Sequence, residues 1–506
     1  MPMVQKRKYA AFLIGSALIV QIITACSASP ANTASTGTPA AGTSGNKAEA
    51  APTGEKVTLR VMDWADSEKP YREKFMKDFE AKYPNIKIEY TLMSVDQFQN
   101  TITTAIKSGD APDLFPIPGN MSLSMAVKGE WYLPLDDYLD DAFKSRFIDG
   151  VFVEGSTVLN GKLYSIPALS SVPSTLVYYN KQLFRDAGLN PDNPPKTYSE
   201  FREAAKKITE AGKGKAYGII EGGKQIGRWK LAAMDWSALG GSGLNQQSPI
   251  SLVTHDANYD SKAVVDVMNL FKGMKDDGSF HPKTMSISAP EARALFGEGQ
   301  AGFILQGEWS IGVWKRDNPN LDFGVMMPPV PDDGQKGFLP KSTIGPWIGI
   351  SKTSKHPKEA ALYLKEYFSK EYQSVLVKAG DRFSILKDVN ETASEIPQFK
   401  QYYDIVQKSS RLIPNPQIRN PELTSVYGNY KDVQPGVGDI LQGVVAGAIK
   451  DPTAPLKQYS DLVNKALDTA IAKAKSEGAK VDKNDFTFSN WSSDKDYLEQ
   501  DYKSIK

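Results

Sequence analysis

From Val57 onward, apolar residues follow two alternating periods. In VTLRVMDW, Val57, Leu59 and Val61 alternate with other positions, the period of a strand with one buried face. SEKPYREKFMKDFEAKYP then places Tyr71, Phe75, Phe79 and Tyr83 four apart, which predicts a helix with Ser67 as candidate cap and Pro84 as stop. IKIEYTL alternates again through Ile86, Ile88, Tyr90 and Leu92. SVDQFQNTITTAIKSG predicts a second helix, with Ser94 and Gln97 spaced as a capping box and Phe98, Ile102 and Ile106 on one stripe. A short strand, DLFPI, follows. This order predicts βαβ units and a largely parallel sheet, whose ligands gather beyond the carboxyl ends of the strands. Those ends are Asp63-Trp64-Ala65-Asp66 and Pro116-Ile117-Pro118-Gly119-Asn120.

The alternation continues. TLVYYNKQLFRDAGL reads as a strand turning into a short helix, and Thr197 with Glu200 forms another capping box ahead of Phe201, Ala204, Ala205 and Ile208. EARALFGEGQAGFILQGEWS reads as helix, glycine turn, strand and loop. GPWIGISKTSKHPKEAALYLKEYFS reads as strand, loop and long helix. From about Ser384 the chain is mainly helical, with Pro-rich joints such as IPNPQIRNPEL, and no internal repeat is visible.

The start of the chain has a different pattern. Lys6, Arg7 and Lys8 precede an uncharged, mostly apolar run from Tyr9 to Ala25, the layout of a secretory signal. The run is short for a bilayer span and includes Gln21. It ends in Ile23-Thr24-Ala25-Cys26, which resembles the lipobox of bacterial lipoproteins: cleavage before Cys26 and lipid on its sulfur are expected. Cys26 is the chain's one cysteine, so it has no internal disulfide partner. From Ser27 to Gly54, 24 of 28 residues are Ala, Ser, Thr, Gly or Pro, a composition too poor in apolar bulk to fold and suited to a flexible tether.

Removing residues 1 to 25 takes away three positive charges and no acidic group, moving the formal charge from +1 to −2. That balance carries no electrostatic footprint for nucleic acid. With 41% hydrophobic and 10% aromatic residues, the remaining chain is long enough for two or more domains.

Gly297-Glu298-Gly299-Gln300-Ala301-Gly302 matches the spacing of a dinucleotide-binding turn, but a helix precedes it and a strand follows, the reverse of what that motif requires. It reads as a tight turn. His255, His281 and His356 are scattered and outside any metal or triad spacing. Asp136, Asp137, Asp140 and Asp141 could suggest a paired-acid hydrolase, but their spacing fits a solvated face or helix cap. Trp64, Trp229, Trp236, Trp309, Trp314 and Trp347 fall near predicted strand ends or in Gly-rich loops. Together they suit a sugar site, in which flat rings cover the C–H faces of pyranoses and polar groups bind the hydroxyls. Trp131 is assigned to structure.

The ordered landmarks RVMDW…FEAKYPNIKIEY, SGDAPDLF, GKLYSIPALSSVPSTLVYYNKQLFRDAGL, PPKTYSEFREAAKKI, LFGEGQAGFILQGEWS and GPWIGISKTSKHPKEAALYLKEYFS resemble family 1 extracellular solute-binding proteins of bacterial ABC importers, the maltose-binding-protein-like group. Leu176 departs from the family signature, where a smaller residue is usual. The resemblance implies an α/β, two-lobed, type II periplasmic-binding-protein-like fold, with hinge strands joining the lobes and the ligand in the cleft between them. It puts residues 57–170 and 343–385 in the N-terminal lobe and 171–342 and 386–506 in the C-terminal lobe, behind a signal peptide of residues 1–25 and a tether of 26–56.

The cleft positions carried over are Trp64, Asp66, Gly119 and Asn120 from the first lobe, and Trp229, Asp235, Trp236, Glu308 and Trp309 from the second. Trp347 would line the crossover and Arg382 would bind hydroxyls, while Asp113 is expected to serve its local turn. The implied function is capture of an extracellular solute, an oligosaccharide first among candidates, and delivery to a membrane permease. The chain would be a monomer without cofactor or metal, held by Cys26 at the extracellular face of the cytoplasmic membrane. A surface-anchored polysaccharide-active enzyme and an adhesin are the alternatives, and a peptide or polyol ligand stays open.

Overall fold

The computed structural model describes residues 55–118, 121–148, 150–168, 175–342, 344–387, 389–390 and 395–505. Cys26, the signal, the tether to Gly54, Gly119 and Asn120 lie outside the described residues.

Eight strands form two four-stranded sheets: β1 (Val57–Asp63), β2 (Ile86–Leu92), β3 (Leu114–Pro116), β4 (Leu176–Asn180), β5 (Tyr217–Ile220), β6 (Ala301–Gln306), β7 (Phe323–Met326) and β8 (Ile348–Ile350). The first sheet has the order β8-β3-β1-β2. β1 runs parallel to β2, from Val57 opposite Ile86 to Asp63 opposite Leu92, and parallel to β3. β8 closes the edge antiparallel to β3. Val57, Leu59 and Val61 pack with Phe75 and Phe79 of the Lys69–Lys82 helix, while Met62 and Phe115 pack with Phe98 and Ile102 of the Val95–Ser108 helix. Helices thus cover both faces of the sheet, and each buried ring contributes about 2–3 kcal/mol.

The second sheet has the order β5-β6-β4-β7. It departs from the largely parallel expectation: β4 runs antiparallel to both β6 and β7, and only β5 and β6 are parallel. The glycine motif is the predicted turn, with the Ala289–Gly297 helix before it, β6 after it, and Gly299 at φ +79°.

The Ser94–Gln97 and Thr197–Glu200 capping boxes form. The Ser67 cap does not: Glu68 occupies the N-cap without a side-chain capping bond, and Ser67 is buried and bonds Asp381. Asp140 caps a short helix and Asp136 accepts from the Leu163 amide. Trp131 is buried, and Asp113 accepts from the Arg60 amide and the Ser354 hydroxyl.

The tail packs through Leu423, Val426, Ile440, Leu441, Leu456 and Leu467 into the core behind the second sheet. Among the described residues the chain changes core in three regions. The first pass lies between Ile166 and Leu176, and the second between Leu339 and Ile348. At the third, Phe383 packs with the second core, Ile385, Leu386 and Val389 with the first, and Phe399 with the second again.

Candidate ligand-binding cleft

Where β1 ends, the chain turns around Asp63. This carboxylate is fully buried, accepts from the Ala65 amide and the Tyr90 hydroxyl, and pairs with Arg72 at 3.0 Å. That anchor sends Trp64 and Asp66 into a cleft of about 620 Å³ between the two sheets. The Trp64 ring meets Trp347 edge-on at 4.6 Å and Phe98 at 4.7 Å. Trp309 lines the cleft from the opposite side. Its ring folds back over Gly307, where an added Cβ would lie 2.1 Å from a ring carbon, so only glycine fits there.

The cleft floor is an ionic network. Arg72 and Arg382 both contact Glu68, Arg382 also takes Asp381 at 3.0 Å, and the Tyr367 hydroxyl donates to Glu68. Burial pushes the Glu68 carboxyl up, but Arg382 and Arg72 outweigh it and hold the group below its usual range. Burial raises Asp381, with Arg382 opposing. On the second wall, Arg228 forks onto Glu221 at 2.9 Å, and Arg293 reaches across the cleft to Asp66. Every charged side chain lining this cleft among the described residues therefore has an oppositely charged partner.

The uncharged polar groups are more available. Gln306 has its amide oxygen held by Ser310, and its buried amide nitrogen has no partner. Gln97 lines the first wall and Gln225 the second, with their amide oxygens accepting from Ser94 and from the Ala289 amide. Among the described residues no group of three or more His, Cys, Asp or Glu side chains is placed to hold a metal ion.

A family model described as bacterial extracellular solute-binding protein matches residues 64–374. The chain belongs to this family. A Brucella abortus protein named as a binding protein is 32% identical to this solute-binding protein over 329 residues, covering 65% of this chain and 75% of that one. The diacetylchitobiose binding protein of Streptomyces coelicolor is 27% identical over 336 residues, covering 64% and 72%. In fold, the chain is similar to an ABC transporter solute-binding protein from Thermotoga lettingae bound with α-D-tagatose: TM-score 0.65, 21% identity, 82% of this chain and 100% of that one. The fold is thus that of the solute-binding proteins, as expected.

The structure brings five predicted residues, Trp64, Asp66, Trp309, Trp347 and Arg382, to one cleft. Four others turn away from it. Trp229 and Trp236 are fully buried in the second core: they lie seven apart on the Ile226–Leu239 helix, two turns on the same face, and pack on Phe271. Asp235 on that helix and Glu308 are also buried outside the cleft lining, with carboxylate oxygens lacking partners, and burial pushes both carboxyls up to about 7. Sequence reasoning missed Arg228, Arg293, Gln306 and Asp381. Arg293 carried one usable signal, its place two residues after Glu291 of a capping box in the first turn of a helix that opens on the cleft.

Proposed function

We propose that this protein captures a neutral oligosaccharide outside the cell and hands it to the membrane subunits of an ABC importer. The observation that carries this reading is the combination of three tryptophans with charges already neutralised in pairs. In this cleft an anionic or cationic ligand would find no unpaired counter-charge, whereas a sugar finds flat apolar rings and amides for its hydroxyls. Relatives named as a multiple sugar-binding protein of Streptococcus mutans and a maltotriose-binding protein of Pyrococcus abyssi support the sugar class.

On this reading the two cores correspond to the lobes, 57–170 with 343–385 and 171–342 with 386–506, except that Leu386 and Val389 still pack in the first core and Phe383 already in the second. A ligand touching both walls stabilises the closed form, a population shift that the permease reads. Cleavage before Cys26 and acylation of its sulfur, with residues 26–56 as tether, keep the closed protein beside that permease.

The test is a thermal-shift and tryptophan-fluorescence screen of a broad glycan panel, with peptides and polyols as comparison sets. A ligand at 100 times its Kd stabilises the protein by about 2.7 kcal/mol, a visible shift. Stoichiometric binding without release of reducing ends is the expected outcome. Turnover would support the enzyme instead, and a response confined to peptides or polyols would contradict the sugar class.

A further inference from the structure

The tryptophan cleft is not the largest recess between the two walls. Past the Pro346-Trp347 step lies a second compartment of about 710 Å³. The two adjoin. Trp347 lines the first and Pro346 the second, and the Ile117 amide, in the second, donates to the Trp347 carbonyl at 2.7 Å. Along the Ile226–Leu239 helix, Arg228 faces the first while Lys230 and Met234 face the second.

Much of the second wall, from Asn415 to Tyr459, lies outside the stretch matched by the family model. This segment also approaches the first lobe. Gly155, at φ +80°, leaves only the room a glycine needs beside Gln417, and the Leu423–Asn429 helix packs beside the Leu123–Lys128 helix. Phenols, amides, serine hydroxyls and methionines line the recess, with Lys230 and Asp432 as its charged groups. The buried Gln417 amide nitrogen and the half-buried Tyr430 hydroxyl have no bond to another described residue. Lys230 lines it as an exposed ammonium outside any ion pair.

We propose that both compartments hold one ligand, a linear oligosaccharide that stacks on Trp64, Trp309 and Trp347 and continues past Pro346 to Lys230, Gln417 and Tyr430. This rests on the sugar reading above. Each recess alone has the size of an ordinary small-ligand pocket, about 300–1,000 Å³, and the two together exceed it, so a chain-like solute fits where a monosaccharide would leave half the space to water.

The experiment is titration calorimetry with linear glucans and xylans from disaccharide to hexasaccharide, on wild type and on the double variant Tyr430→Phe with Lys230→Ala. Affinity is expected to rise at least about tenfold along the series in wild type, and the variant to lose about that factor for the long chains only, from contacts left unmade. Unchanged unfolding of the ligand-free variant would show that the loss is not a folding defect. Tyr430→Phe alone, with its ring kept, is the second variant should the double one unfold. Equal affinity for short and long chains, with both variants silent, overturns the two-compartment ligand and leaves the sugar reading standing. Binding of no glycan overturns that reading and this inference with it.

Discussion

Trp309 and Trp236 were predicted to share a role, and the fold gives them different ones. Trp309 follows a strand end, lies over Gly307 and lines the cleft; Trp236 sits mid-helix against Phe201 and Phe271 with no exposed surface. A position after a strand's carboxyl end projects beyond the sheet, whereas one in a helix buried on all sides, as Ala232 to Leu239 are, is held in the core by its area. Both are helical residues, and it is the place in the helix, its first residue after a strand end or its buried middle, that decides what each tryptophan does.

The contrast can be broken most strongly by truncation. Trp236→Ala should lose about 3–5 kcal/mol in urea unfolding, the usual cost of emptying a buried indole. Trp309→Ala should lose well under half of that yet reduce glycan affinity by tenfold or more. Equal destabilisation by the two would end the distinction.

A second test uses pH. Burial raises the Glu308 carboxyl from 4.5 to about 7, with Asp381 adding and Arg382 opposing. A raised folded value means that the folded state holds the proton more tightly. The contribution is therefore fully present below pH 4.5 and is lost as pH rises to about 7, a change of roughly 3 kcal/mol. Urea midpoints measured from mildly acidic to mildly alkaline pH should fall accordingly. Glu308→Gln should remove much of the slope and Asp235→Asn more, since Asp235 is raised in the same direction.

Asp66→Asn sharpens the neutrality argument. It leaves the Arg293 guanidinium, 6% exposed, without its counter-charge at the cleft. A uronate-bearing oligosaccharide should then gain on its neutral counterpart by about threefold to tenfold in calorimetry. The smallest effect belongs to the surface: Lys457→Ala, breaking an exposed i,i+4 pair with Asp461, should change unfolding by less than about 0.5 kcal/mol.

Local rules carried far into the fold. The alternation of Val57, Leu59 and Val61, the two capping boxes and the reversed glycine motif each state a short-range preference, and each appears where expected. What failed depends on the third dimension. Nothing near Arg293 in sequence says that Asp66, 227 residues away, will face it. Glu308 beside Trp309 looks like a cleft acid, but the turn that presents the ring points the carboxylate inward. Trp229 and Trp236 were legible in principle, since seven residues is two helical turns, had their segment been read as a helix.

On the proposed function, a neutral oligosaccharide is held by the tryptophans of the first cleft. Titration calorimetry of the glycan panel against wild type, Trp309→Ala and Trp236→Phe tests it most directly. Wild type should bind saturably and one to one, Trp236→Phe should keep near-normal affinity, and Trp309→Ala should lose tenfold or more. Undiminished glycan binding by Trp309→Ala, or preference of the wild-type protein for charged over neutral solutes, would contradict it.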